Sequence, residues 1–207
     1  MSIRSVEISS GIGASALPHL NELLRVPPEW KACVAGEDTS IDSNVSLNRD
    51  GILSLKISGG RLYRNPPESA MGGAGDSYGV FLNVAVPSGY ELNMSDVLTD
   101  VAPERFAKVV QPELLKALSQ PGFSAPSERQ TDLEICSPFF SPDSVGFRVE
   151  KTGLLISAAL PHAYQALPPL QISFAALQAE HLLRVDGPLG PLLKAKPSGT
   201  ADAGAKE

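Results

Sequence analysis

Residue types able to do chemistry are present in this chain, but their spacing does not assemble a reaction site. Three histidines, His19, His162 and His181, stand far apart, and none belongs to an H-E-x-x-H pair. No Cys or His lies at the ligand spacing that a zinc site requires. There is no G-x-S-x-G elbow to carry a nucleophilic serine. The run Met71-Gly-Gly-Ala-Gly75 has the glycines of a phosphate loop, yet lacks the Lys-Ser/Thr that would hold phosphate and magnesium. The 23 acidic residues allow a carboxylate pair for glycan hydrolysis, but nothing in the sequence isolates one. No catalytic residue, metal ligand or cofactor is nominated. The expectation is a protein that binds and does not react.

Two cysteines, Cys33 and Cys136, remain. In a reducing compartment they would be small core residues or free thiols. In an exported protein they permit one bridge, closing a loop of about 100 residues and contributing up to roughly 4–5 kcal/mol in the chain-entropy model.

The elements that must position these residues follow from composition and periodicity. At 207 residues, 43% hydrophobic and 19% charged, the chain is long and apolar enough for one ordinary core. Eighteen prolines and eighteen glycines imply many turns and short elements. Ile3–Ile8 reads as a strand, and Ala14–Arg25 as a helix stopped by Val26-Pro-Pro28. Ile41, Ser43, Val45 and Leu47 alternate onto one expected face. Asn48-Arg-Asp-Gly51 then signals a hairpin turn into Ile52–Ile57. Tyr78–Val86 is a further strand, and Glu91–Leu98 a short capped helical turn. Val101–Ser119 has helical spacing at Phe106, Val109 and Val110, with a kink or a break into two helices expected at Pro112. Gln120–Gln130 reads as a loop. Ser144–Val149 and Leu154–Leu160 read as a strand pair whose turn is supplied by Gly153. Pro161–Pro169 crosses to a short strand at Leu170–Ser173 and a last helix over Phe174–Leu183. Together these predict an α+β fold, an antiparallel β-sheet with helices packed on one side, including the 103–119 helix. The expected domain spans residues 1–186, with 187–207 a flexible, disordered tail rich in Pro, Gly, Ala and Lys.

The order of these patterns resembles the RsiV-like family of bacterial extracytoplasmic domains. Gly51-Ile-Leu-Ser54, Gly72-Gly-Ala74 and Leu92-Asn-Met-Ser-Asp-Val-Leu98 correspond to its first motifs. Phe140–Phe147, Gly153-Leu154, Pro161, Pro168 and Ile172-Ser-Phe-Ala-Ala-Leu177 correspond to its later ones. The resemblance covers about residues 3–183. Gly75 stands where family members often have His, and neither the membrane anchor nor the sigma-binding segment of the named member, a lysozyme-binding anti-sigma factor, is present. The resemblance implies an extracytoplasmic or periplasmic, non-catalytic protein-binding domain. Its implied partner is a lysozyme-like or other peptidoglycan-degrading enzyme, met as an inhibitor or as an immunity protein against a delivered toxin. A wall hydrolase with unassigned carboxylates and a structural accessory domain are the alternatives. The start, Met1–Ile8, has no secretion-signal pattern, so either the protein is cytoplasmic or its signal has been removed and a start Met added, and the resemblance favours the second. In that location Cys33 and Cys136 are expected to be bridged.

Charge is consistent with this partner. The net charge is −6, with 7 basic and 12 acidic residues in 1–100 and 10 basic and 11 acidic in 101–207. Clustered basic residues for nucleic acid are lacking, and an acidic front half steers a basic protein. No run of about 20 apolar residues is available to span a membrane. The segment from Arg61 to Tyr78 is longer than a hairpin needs and holds interface-type residues. Arg61, Tyr63, Arg64, Met71, Asp76 and Tyr78 are therefore the expected partner contacts.

Overall fold

The computed structural model describes residues 2–3, 17–25, 37–63, 75–99 and 103–194. The fold is α+β, built on two sheets. The first has the order β1 (Ser2–Ile3), β2 (Glu37–Arg49), β3 (Ile52–Tyr63), β4 (Gly75–Ala85) and β5 (Tyr90–Glu91). All its pairings are antiparallel except β1 with β2. The second has the order β6 (Gly146–Val149), β7 (Gly153–Ser157) and β8 (Leu170–Ser173), all antiparallel.

The β2–β3 hairpin forms where the sequence places it. Asp50 and Gly51 both take positive φ, 54° and 78°, the backbone of a two-residue turn whose twist matches the strands. One expectation about its faces is corrected. Register shifts between Val45 and Leu47, and this bulge turns Leu47 to the other side of the sheet. Ile41 joins Leu53, Leu55, Ile57, Leu82 and Val84 beneath Leu20 and Leu24, contributed by α1 (Leu17–Leu23) and its exit. Leu47 and Ile52 instead enter the larger core on the opposite face, with the second sheet. The bulge thus lets one strand serve two cores.

Following β5, α2 (Met94–Val97) begins at Asn93, whose backbone N–H is accepted by the Asp96 carboxylate at 2.8 Å. The next helix, α3 (Pro103–Leu118), runs unbroken through Pro112, so of the kink or break expected there the break into two helices does not occur. Pro112 is exposed, so the carbonyl that lacks its partner there lies on the outer side of the helix, while Phe106, Val109, Val110, Leu114, Ala117 and Leu118 hold the opposite face in the core. This helix packs on β8 and on α4 (Arg129–Cys136), because the second sheet stands between it and the hairpin. Turns occupy 119–128, and α4 takes up the end of the segment read as a loop.

Gly153 opens β7 but is not a left-handed turn residue. A Cβ there would overlap the Ile172 carbonyl, so glycine is needed for close strand approach. The last long helix, expected to reach Leu183, stops earlier, as α5 (Phe174–Ala179). His181 takes φ 53°, and the Leu182 and His181 amides bond to the Leu177 and Gln178 carbonyls, a Schellman closure. The chain then pairs Leu183 with Leu98. Nor does packing end at residue 186. Leu189 and Leu192, the latter in α6 (Gly190–Lys194), are buried in the main core, which carries the domain to at least 194. The predicted strand beyond Ile3, the helix start before Leu17, the Val26–Pro28 stop and the final residues from 195 lie outside the described residues.

Candidate functional site

What joins the two sheets also divides the surface of the first. Ser54 and Asn83 face the second sheet from β3 and β4, at 0% and 2% exposure. β6 is an edge strand, so its outward backbone groups need partners. Asn83 Nδ2 donates to the Phe147 carbonyl at 2.7 Å, and the Val149 amide donates to Asn83 Oδ1 and Ser54 Oγ at 2.9 and 2.8 Å. Ser46, at the bulge, donates to the Val149 carbonyl at 3.0 Å. Side chains of one sheet thereby complete the edge of the other. Beside this seam the Phe81 ring lies between Lys56 and Arg148, whose charged groups are 6.0 and 5.8 Å from its centroid. Arg148 is held in turn by Glu150, with Nε 2.8 Å and Nη2 2.6 Å from one carboxylate oxygen.

Beyond that border the same face of the first sheet is open. Register places Asn44, Asp42 and Ser40 of β2 opposite Lys56, Ser58 and Gly60 of β3, with Phe81 and Gly79 of β4 on the far side. These residues are exposed or half-buried, and Leu62, next on this face of β3, is 63% exposed. The result is a flat patch of small and polar residues with an exposed leucine at its end, a surface able to receive another protein. Leu62, Asp42 and the Lys56–Phe81–Arg148 stack were not nominated from sequence. Leu62 falls in the 61–78 segment that reads as a loop, so its place on a strand face is not visible in the sequence.

Four of the nominated contacts stand at this end of the strands, in register with the other face of the sheet from Leu62. Arg61 and Tyr63 belong to β3 and Asp76 and Tyr78 to β4, so the connection between the strands is shorter than the 61–78 loop expected. The strands continue because their ladder does: Arg61 pairs with Asp76, Gly59 with Tyr78, and Tyr63 with Glu37. Arg64 and Met71 lie outside the described residues, as does Cys33. Cys136 is fully buried, and the expected bridge to Cys33 falls outside the described residues. Core packing on α4 holds Cys136, and burial, then nearby Asp132, pushes its pKa up.

Another polar cluster lies at α4. The Tyr164 hydroxyl donates to Asp132 Oδ1 at 2.6 Å. Hydrogen bonds from Ser124 and Tyr164 hold the Asp132 carboxyl below the usual range, while the Asp132 bond pushes Tyr164 up to about 12. The arrangement ties α4 to the crossing segment at 162–164. The three histidines are exposed and separate. No group of three or more His, Cys, Asp or Glu is placed to hold a metal among the described residues, and no described helix is long and apolar enough to cross a membrane.

A two-sheet α+β scaffold with an open sheet face is the class that fold and site define. Its likeness to known proteins is confined to solved structures: no family model matches the chain, and no curated protein does. A member of the DUF3298 family from Bacteroides fragilis NCTC 9343 matches with a TM-score of 0.53 and 18% identity, covering 88% of this chain and 68% of that one. A DUF3298 family protein from Pseudomonas aeruginosa PAO1 matches with a TM-score of 0.48 and 17% identity, covering 74% of this chain. The present chain spans 65% of the length of that second protein. At such identities the likeness concerns the fold.

Proposed function

We propose that this chain is a non-catalytic, extracytoplasmic recognition domain that binds a basic peptidoglycan-degrading enzyme of the lysozyme type and inhibits it. The observation that carries the reading is the open half of the first sheet's face, which ends in exposed Leu62 and presents Asp42. An exposed apolar anchor among small residues gives a partner a flat seat, and a carboxylate beside it favours a basic partner. Arg61 and Tyr63 of β3 and Asp76 and Tyr78 of β4 alternate with Leu62 onto the other face of the strands, so this seat does not include them. The motif order resembling RsiV-like domains supplies the partner class, and the DUF3298 likeness supports the fold.

The test titrates a purified lysozyme against the immobilised chain and follows wall lysis in parallel. Binding and slowed lysis are expected, and the pair Leu62→Asp and Asp42→Lys should weaken binding at least about tenfold, or 1.4 kcal/mol, with little change in Tm. Lysis that continues unslowed at saturating chain, without binding, overturns the reading.

A further inference from the structure

We propose that the groove between α3 and the outer edge of β8 takes an extended peptide segment as an added strand. This surface is separate from the open face of the first sheet, and the inference does not depend on the wall-enzyme reading.

The groove has a volume of about 320 Å³ and is walled by Lys108, Val109, Pro112 and Glu113 of α3, by Gln171–Ser173 of β8, and by α5 and its C-cap. Backbone phase identifies its hydrogen-bonding groups. Phe174 N donates to Thr152 O, so in the alternating antiparallel pattern Ile172 and Leu170 bond to β7, while Gln171 and Ser173 turn outward. The Gln171 amide and carbonyl and the Ser173 amide therefore point away from the sheet at exposed residues. On the facing wall, Pro112 has no N–H for the Lys108 carbonyl, which adds an unmatched acceptor. Donors and acceptors in strand geometry are the chemistry that another extended backbone satisfies.

The walls favour a peptide over a second copy, since α3 and α5 flank the edge and leave room for a strand without its sheet. Val109, Ile172, Ala176 and Ala179 make a shallow apolar floor that suits a small apolar side chain. Charge selects the flanks. Glu180 and Glu113 are 36% and 35% exposed, whereas their partners Lys108 and Lys116 are 65% and 76% exposed. The carboxylates are thus the more fixed charges at the groove. The favoured occupant is a segment with a small apolar residue between basic residues.

The experiment pans a displayed library of linear nonapeptides against the whole chain, then studies an enriched synthetic peptide by amide exchange and titration. Enrichment of basic–apolar–basic sequences is expected. Bound peptide should slow exchange at the Gln171 and Ser173 amides at least about tenfold and leave Ile172, already bonded to β7, unchanged. Gln171→Pro removes an outward donor at an edge position that tolerates proline. Ala179→Phe fills the floor without touching β8, which covers the case in which the proline variant does not fold. Each folded variant should weaken binding about tenfold or more. No enriched peptide, or one that leaves the two amides unprotected, overturns the proposal. So does a dimer of the free chain that Gln171→Pro dissociates, because the edge would then belong to a second copy.

Discussion

Asn83 contributes three hydrogen bonds from a side chain that is almost wholly buried, and two of them serve the β6 backbone. Removing it strands the Phe147 carbonyl and leaves the Val149 amide with Ser54 alone. Leaving buried polar groups unmet costs about 1–3 kcal/mol each. Asn83→Ala should therefore lower unfolding free energy by about 2–4 kcal/mol in urea titration, whereas Ser46→Ala, at a half-buried site, should cost about 1 kcal/mol or less. Equal losses would mean that the seam depends on packing and not on these bonds. Both polar residues stand in view in the sequence, as Leu53-Ser54-Leu55 and Leu82-Asn83-Val84. Strand alternation turns them away from the leucines, but only the second sheet's edge explains their burial, and that is a non-local fact. Cys136 is similarly illegible: its place in the main core depends on packing between distant elements. With its pKa raised by burial, Cys136 should resist alkylation at pH 8 until the protein unfolds, as peptide mapping would show.

At the scale of elements, alternation and turn chemistry made the β2–β3 hairpin, β4 and the β6–β7 pair legible. What they could not reveal was where an element stops for tertiary reasons. The bulge at Val45/Leu47 hides inside a regular polar–apolar pattern, and the α5 terminus lacks the usual glycine. His181 fills that left-handed position because the chain must turn there to pair Leu183 with Leu98. His181→Gly should then stabilise the fold by about 0.5–1 kcal/mol, the relief of strain exceeding glycine's entropic cost. A lower Tm would mean that the imidazole makes a contact worth more than the strain. The Asp132–Tyr164 clip is an element-level device with a pH signature. Asp132, its pKa lowered, contributes stability above its ordinary value that is lost as pH falls through the folded one. Tyr164, its pKa raised, contributes stability below its ordinary value that is lost as pH rises through about 12. Tyr164→Phe should return the Asp132 titration toward the usual carboxylate range, as carboxyl NMR shifts would record.

For the whole molecule, the uneven charge predicts how a basic partner arrives more than how long it stays. Residues 1–100 carry 7 basic against 12 acidic side chains, a net of −5, and 101–207 carry 10 against 11, a net of −1. Exposed Asp38 and Asp42 lie on β2, which belongs to the acidic half and borders the open face. Charges spread over a surface act on a diffusing protein at distances set by the Debye length, about 10 Å at 0.1 M salt and 3 Å at 1 M. Leu62, by contrast, acts only on contact. Raising salt from about 0.05 to 0.5 M should therefore slow association with a lysozyme roughly tenfold and leave dissociation nearly constant. Asp42→Lys should reduce the salt dependence of association, and Leu62→Asp should speed dissociation. Stopped-flow or biosensor traces across the salt series separate these effects. An association rate indifferent to salt would leave the acidic half as a solubility feature, with recognition resting on the apolar contact alone.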